Sequence, residues 1–237
     1  MPDPNAGASL TIGAQWHRWD PHVHAPGTKL NDQFGGAISW DDYLDRVEQA
    51  QPTLRAIVVT DYYSLDCYER LRADKSAGRL PDCALLFPNI EMRLGIGTVR
   101  NAFVNVHLLV SPETDDHVSQ IKRLLTRLTF RAHGETFACT PEELAALGRR
   151  SDPEIRDTVA ALAEGSRQFK VSLDQLRDAY ANSDWAQENV LIAVAGGSTD
   201  GASGVQVPRY RLDGLARRVL APDPQHRLQY QHPDLAA

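Results

Sequence analysis

Four short segments of this sequence carry residue types that bind cations. The first is Asp20-Pro21-His22-Val23-His24. In an extended strand, residues i and i+2 point to one face, so His22 and His24 would present two imidazoles side by side, with Asp20 on that face too. Two neutral imidazole nitrogens at that spacing suit zinc, manganese or iron. A pair of exposed surface histidines would show the same spacing, so the motif alone is weak. The second segment is Asp61, which directly follows the apolar run LRAIVVT. A carboxylate at the mouth of a buried strand is costly unless it binds a cation or caps a turn. The third, Glu91, follows LLFPNI, where a surface ion pair is the plainer role. The fourth, His107, sits inside FVNVHLLV, where a lone histidine is more often a hydrogen-bonded core residue than a ligand. Such residues on four successive strands point together to a metal site, and barrel active sites form at strand C-termini.

The elements that must position them follow from pattern and caps. Residues 16–23 read as a strand. Ser39-Trp40-Asp41-Asp42 reads as a capping box opening a helix to about Ala50, with Tyr43, Leu44 and Val47 on one face. Residues 54–60 form a continuous apolar run, as in a buried parallel strand. Ser64 caps a helix ending near Gly78, and residues 84–88 and 103–110 read as the third and fourth strands. Ser111-Pro112 offers an N-cap and N1 proline to a helix whose Val118, Ile121, Leu124, Leu125 and Leu128 make a buried face. This alternation predicts βα units and a mainly parallel sheet. Beyond Phe130, Thr140 opens a helix, residues 152–181 read as two more, and residues 190–195 form a late strand. Residues 1–13 read as a disordered N-terminus, and 206–237 as an atypical, poorly packed tail rich in Arg, Pro, Gln and His.

Composition bounds the function. The chain has 237 residues, 42% hydrophobic and 24% charged, the profile of a globular protein. No apolar run approaches the roughly 20 residues of a membrane span. The N-terminus shows no signal-peptide pattern, and Cys67, Cys83 and Cys139 make no disulfide framework, so a cytoplasmic location is expected. A net charge of −6 is unlike the basic footprint of a free-standing nucleic-acid binder. The local basic clusters, Lys122-Arg123 with Arg127 and Arg149-Arg150, read as solvated helix faces. There is no phosphate-loop motif for an ATPase and no CxxC pair for a zinc ribbon.

Taken together, HxH at the first strand, Thr60-Asp61 after the second, Ile90-Glu91 after the third and NVHLLV at the fourth resemble the PHP (polymerase and histidinol phosphatase) domain. The fuller wording, WHRWDPHVHAPGT, VTDYYSLDCYERL, LLFPNIEMRL and VNVHLLVSP, is similar more narrowly to the PHP domain of TrlF-type AAA-like ATPases, which are linked to tRNA fragmentation and phage defence. The resemblance covers roughly residues 10–205 and implies a PHP-like metal-binding domain over 14–205. It implies a distorted (β/α)7 TIM-like barrel, here incomplete at the C-terminus. It also implies divalent metal ions, two of them (zinc, manganese or iron), and hydrolysis of phosphomonoesters or phosphodiesters. RNA is the candidate substrate, the ATPase region or partner lies outside this chain, and no membrane is involved. By the same resemblance His22, His24, Glu91 and His107 are metal ligands, Asp61 orients or deprotonates the water, and Asp20 joins it as a catalytic residue.

The chain departs from the family pattern twice. Tyr62 stands where the family has a histidine, which removes a usual ligand of a third metal. The family's final Asp-x-His is not found: Asp200 has no histidine two residues later, and His226 and His232 lack a strand context. His133 and Cys139 are the substitute donors considered. These departures support an alternative, a non-catalytic metal-binding or regulatory module that positions an ATPase. An amidohydrolase-type barrel ranks last, because none of Lys29, Lys75, Lys122 and Lys170 falls at a strand end where a carboxylated lysine would sit. Ser64 and Cys67 have no positioned base, which leaves covalent catalysis unsupported.

Overall fold

The computed structural model describes residues 17–98, 100, 102–197 and 201. The 1–13 segment, the tail from 206, Asp200, His226 and His232 lie outside the described residues.

The apolar runs become strands β1 (Arg18–Val23), β2 (Leu54–Tyr62), β3 (Leu85–Gly97), β4 (Phe103–Val110) and β7 (Val190–Val194) of one five-stranded sheet, in the order β1-β2-β3-β4-β7. A short hairpin, β5 (Thr129–Ala132) with β6 (Glu135–Ala138), stands apart. Helix α1 (Trp40–Glu48) joins β1 to β2, and α2 (Asp66–Ser76) joins β2 to β3. These two crossovers leave β1, β2 and β3 parallel. Among the described residues no helix stands between β3 and β4, where a mainly parallel sheet would need a crossover. β3 runs on far beyond residue 88, to Gly97, and β4, which begins at Phe103, pairs with it antiparallel. A connection that short cannot carry the dozen or so residues a parallel crossover requires. β7 is antiparallel to β4, so the sheet is mixed rather than mainly parallel. The long return from β4 to β7 holds α3 (His117–Leu125), the hairpin, α4 (Pro141–Ser151), α5 (Thr158–Gln168), α6 (Leu173–Ala181) and α7 (Asp184–Asn189).

Capping chemistry decides where helices begin. Ser39 caps α1 in a full capping box, its hydroxyl accepting from Asp42 N while the Asp42 carboxylate accepts from Ser39 N. Thr140 accepts from Glu143 N and opens α4 with Pro141 at its first turn. Two expected caps fall elsewhere. Ser64 accepts from Asp66 N at 3.1 Å, but the residue at the N-cap of α2 is Leu65. Ser111 is separated from α3 by a loop, since that helix starts at His117. The hairpin turn at His133-Gly134, with φ of 51° and 80°, and the short helix α7 are not signalled by hydrophobic periodicity.

One face of the sheet is apolar. Ile57 and Val59 of β2, Ile90, Met92 and Leu94 of β3, and Val104, Val106 and Leu108 of β4 are buried there. They share one core with Tyr43 and Leu44 of α1, Cys67, Tyr68 and Leu71 of α2, and Ile121, Leu124 and Leu125 of α3. The register sets the other face. Thr60 lies beside Asn89, Tyr62 beside Glu91, Glu91 opposite His107, and Arg93 opposite Asn105. Since alternate residues of a strand share a face, these polar side chains form a single layer. No helix among the described residues is long and apolar enough to cross a membrane.

A candidate metal centre on the polar face of the sheet

His22 and His24 reach the polar face through an irregularity. β1 keeps register with β2 at Asp20↔Ile57 and resumes it at Val23↔Val59, so one extra residue is accommodated around Pro21. Val23 therefore turns to the core with Val59, and His22 and His24 turn to the opposite face. The same bulge separates Asp20 from them. Asp20 pairs with Ile57 on the apolar side, accepts from His22 N at 3.3 Å, and adds to the upward push on the Tyr43 hydroxyl, which burial dominates. The expectation that Asp20 shares the histidines' face is corrected: a bulge breaks the i, i+2 rule that suggested it.

Glu91 joins the histidines from the central strand. His22 Nε2 and His24 Nε2 are 2.9 Å apart, and Glu91 Oε2 lies 3.8 Å and 3.7 Å from them. The donor atoms of these three residues all fall within 4.8 Å of one another. Donors ~2.1 Å from a shared ion lie roughly 3 to 3.8 Å apart at bond angles of about 90 to 130°, so the triad matches one cation's ligand shell. The carboxylate is 3% exposed, and its Oε1 accepts from Tyr62 Oη at 2.7 Å and from Asn105 Nδ2 at 2.7 Å. Those two bonds turn Oε2 toward the histidines. Burial and the neighbouring His22 lower the pKa of His24 to about 4, against a smaller upward pull from the Thr60 backbone. At neutral pH His24 is thus an uncharged donor, the form that ligates. The His22 side chain is 43% exposed, which leaves one side of the triad open.

Tyr62 replaces an expected ligand with a different role. Its hydroxyl holds Glu91, its ring stacks on His24 at 6.2 Å between centroids, and Asn31 Nδ2 donates to its oxygen at 3.3 Å. Burial and the Glu91 bond push its pKa well above the ordinary tyrosine value. His107 lies on the same face, half-buried, with its ring 5.2 Å from that of His22, and it stays outside the converging triad. Asn89 Nδ2 donates to Thr60 Oγ1 at 2.9 Å and to His107 Nδ1 at 3.1 Å, so a neutral His107 carries its proton on Nε2. His107 is accordingly not a histidine satisfied within the apolar core.

Asp61 is elsewhere. Adjacent strand residues point to opposite faces, so Tyr62 faces Glu91 while Asp61 faces the core side with Val59. It is 2% exposed, and its Oδ1 accepts from Lys29 N and Tyr62 N, each at 2.8 Å. Burial raises its pKa to about 6, and the buried Cys67 thiol beside it is pushed up to about 12. Asp61 ties the β1–α1 loop to the end of β2, and the geometry does not bring it to the histidines. The substitute donors are also apart from the triad. His133 sits in the hairpin turn with Nε2 3.1 Å from Ser151 Oγ, and Cys139 is buried with its thiol raised to about 12 by burial.

The sequence reading did not assign Tyr62, Asn89 and Asn105 to the site. For Asn105 a signal existed, because it stands two residues from His107 in a strand. No protein-family model matches this chain, and no curated protein matches it.

Proposed function

We propose that this chain is a metal-dependent phosphoesterase of the PHP type, its sheet belonging to a distorted (β/α)7 barrel. A single divalent ion would be held by His22, His24 and Glu91. The observation that carries this is the convergence of two imidazole nitrogens and one buried carboxylate oxygen on a common point. Zinc, manganese and iron all suit a nitrogen-rich set with one carboxylate. Such an ion would supply a water of lowered pKa and positive charge for a phosphoryl oxygen.

The chain's own residues account for the rest. Tyr62 and Asn105 fix the Glu91 carboxylate before any ligand arrives. Asn89 sets the His107 tautomer, so that His107 presents an Nε2 proton beside the triad, placed to donate to a leaving oxygen. Asp61 and Asp20, on the core side of the bulge and the register, position backbone rather than act on a water. The triad gathers ligands enough for one ion. RNA remains the candidate polymeric substrate, with targeting supplied by an ATPase region or partner.

Metal content of the purified chain, measured together with hydrolysis of bis(p-nitrophenyl) phosphate and p-nitrophenyl phosphate, tests the reading. Bound metal and turnover, both lost in Glu91→Gln, are expected. Metal without turnover would make the chain a non-catalytic metal-binding module, and no bound metal would sink the proposal.

A further inference from the structure

The Glu91 carboxylate is set by groups beyond those that touch it. Tyr62 Oη donates to Glu91 Oε1 at 2.7 Å. A tyrosine hydroxyl has one proton to give and two lone pairs with which to accept. Donors are present for both. Asn31 Nδ2 lies 3.3 Å from the oxygen, and the Arg93 guanidinium, which lies over the ring, bonds the same hydroxyl. Neither an amide NH2 nor a guanidinium accepts a proton, so the hydroxyl's own proton goes to Glu91.

Asn31 is carried by the β1–α1 loop, which is braced on both sides of it. Its backbone is left-handed, with φ of 59°, a conformation that asparagine tolerates better than most residues. On one side Lys29 N donates to Asp61 Oδ1 at 2.8 Å, Lys29 Nζ meets Asp66 at 2.6 Å, and Leu30 is buried. On the other side Asp32 holds the turn. Its Oδ1 accepts from Phe34 N at 2.9 Å and from Gly35 N at 3.2 Å, and its Oδ2 accepts from Gly27 N at 3.2 Å. Phe34 then packs edge to face on Tyr43, 5.5 Å between centroids. Asn31 itself is exposed, and the bond its side chain makes is the one to Tyr62.

We propose that Asn31 is a positioning residue for the triad: by donating to the Tyr62 hydroxyl it directs that proton to Glu91 Oε1 and keeps Oε2 turned toward His22 and His24. Each bond in such a chain polarises the next, so the outer donor strengthens the inner bond. Asp61 enters the same support through Lys29 N, which gives its buried carboxylate a part in the triad's geometry without contact with it. This rests on the metal reading and extends it from the ligands to the loop that braces them.

Zinc affinity of the full chain, measured by chelator competition, tests this in Asn31→Gly, Asn31→Asp, Tyr62→Phe and the double variant of Asn31→Gly with Tyr62→Phe. Glycine keeps the positive φ without strain and removes the amide. Asn31→Gly should lose roughly threefold in affinity, and should lose nothing further where Tyr62 is already phenylalanine. Asn31→Asp also tolerates the left-handed backbone, and it serves if Asn31→Gly does not fold. It puts an acceptor where the donor stood, competes with Glu91 for the Tyr62 proton, and should lose about tenfold. A metal-free readout runs alongside. Asn105 Nδ2 donates to the same Glu91 oxygen, so its side-chain amide signal in heteronuclear NMR should move in Asn31→Gly and stay in place when that change is made in Tyr62→Phe. In a chain that binds zinc, unchanged affinity in both variants, an equal loss with and without the Tyr62 hydroxyl, or an unmoved Asn105 signal would each overturn the relay alone. A moved Asn105 signal in a chain that binds no zinc would support the relay and overturn the metal reading. No zinc and an unmoved signal would overturn both.

Discussion

The two faces of the strands β2, β3 and β4 are built from alternating residues of the same segments, yet they solve different problems. On one face Ile57, Val59, Ile90, Met92, Val106 and Leu108 bury apolar surface against α1, α2 and α3. On the other, Thr60, Tyr62, Asn89, Glu91, Asn105 and His107 bond to one another or line the triad. Glu91 stands between Ile90 and Met92, both 0% exposed. A single step along the chain therefore separates the apolar core from the candidate metal triad. Asp61 shows the converse: a carboxylate on the core side is driven toward its neutral form and made structural, however suggestive its place at a strand end.

The largest expected effect breaks the comparison on the polar side. Glu91→Gln keeps an acceptor for Tyr62 and Asn105 but removes the charge, and His24→Ala removes a buried nitrogen donor. Each should weaken divalent-metal binding by more than about 100-fold in a chelator competition, with the metal-free melting transition little changed. Metal affinity equal to that of the natural chain would show that the triad is only a hydrogen-bonded cluster.

Ile90→Ala probes the adjacent residue on the other face. A core cavity there should cost about 2–5 kcal/mol in urea unfolding while the folded fraction keeps its metal stoichiometry. If metal is lost in the folded protein as well, the two faces are not separable.

Asp61 sharpens the contrast through pH. Its folded pKa of about 6 lies above the ordinary 3.8, so the folded state binds this proton more tightly than the unfolded state. Ionisation then works against the fold. The penalty is absent below pH 3.8, grows between 3.8 and about 6, and is full above that. Asp61→Asn retains an oxygen for Lys29 N and Tyr62 N, and should raise stability at pH 7 by about 1–3 kcal/mol. That gain should disappear toward pH 4. Unaltered stability combined with a large loss of turnover would return Asp61 to the chemistry.

The smallest effect belongs to Tyr62→Phe. The stack on His24 survives and one bond to Glu91 is lost, so metal affinity should fall by roughly 10-fold and stability by about 1 kcal/mol. Full retention of metal affinity would mean that Asn105 alone orients the carboxylate.

Much of this was legible in the residues themselves. The helix starts at Ser39 and Thr140 follow from short-range capping, and β2 follows from an uninterrupted apolar run. His22, His24 and Glu91 were found because each stands at a strand of readable pattern, and His107 because a histidine interrupts an apolar strand. The antiparallel β4 was not legible, since a run of apolar residues carries no strand direction. Local sequence by itself determined which residues could donate to a cation and which segments would be strands. Only the tertiary structure decided which side of the sheet each donor faced. One extra residue at Pro21 turned Asp20 away from His22 and His24, and the β2–β3 register put Tyr62, rather than Asp61, against Glu91. The physical reason is that a strand's side-chain period is two, so a single-residue slip reverses every orientation after it, and register is set by packing between strands distant in sequence.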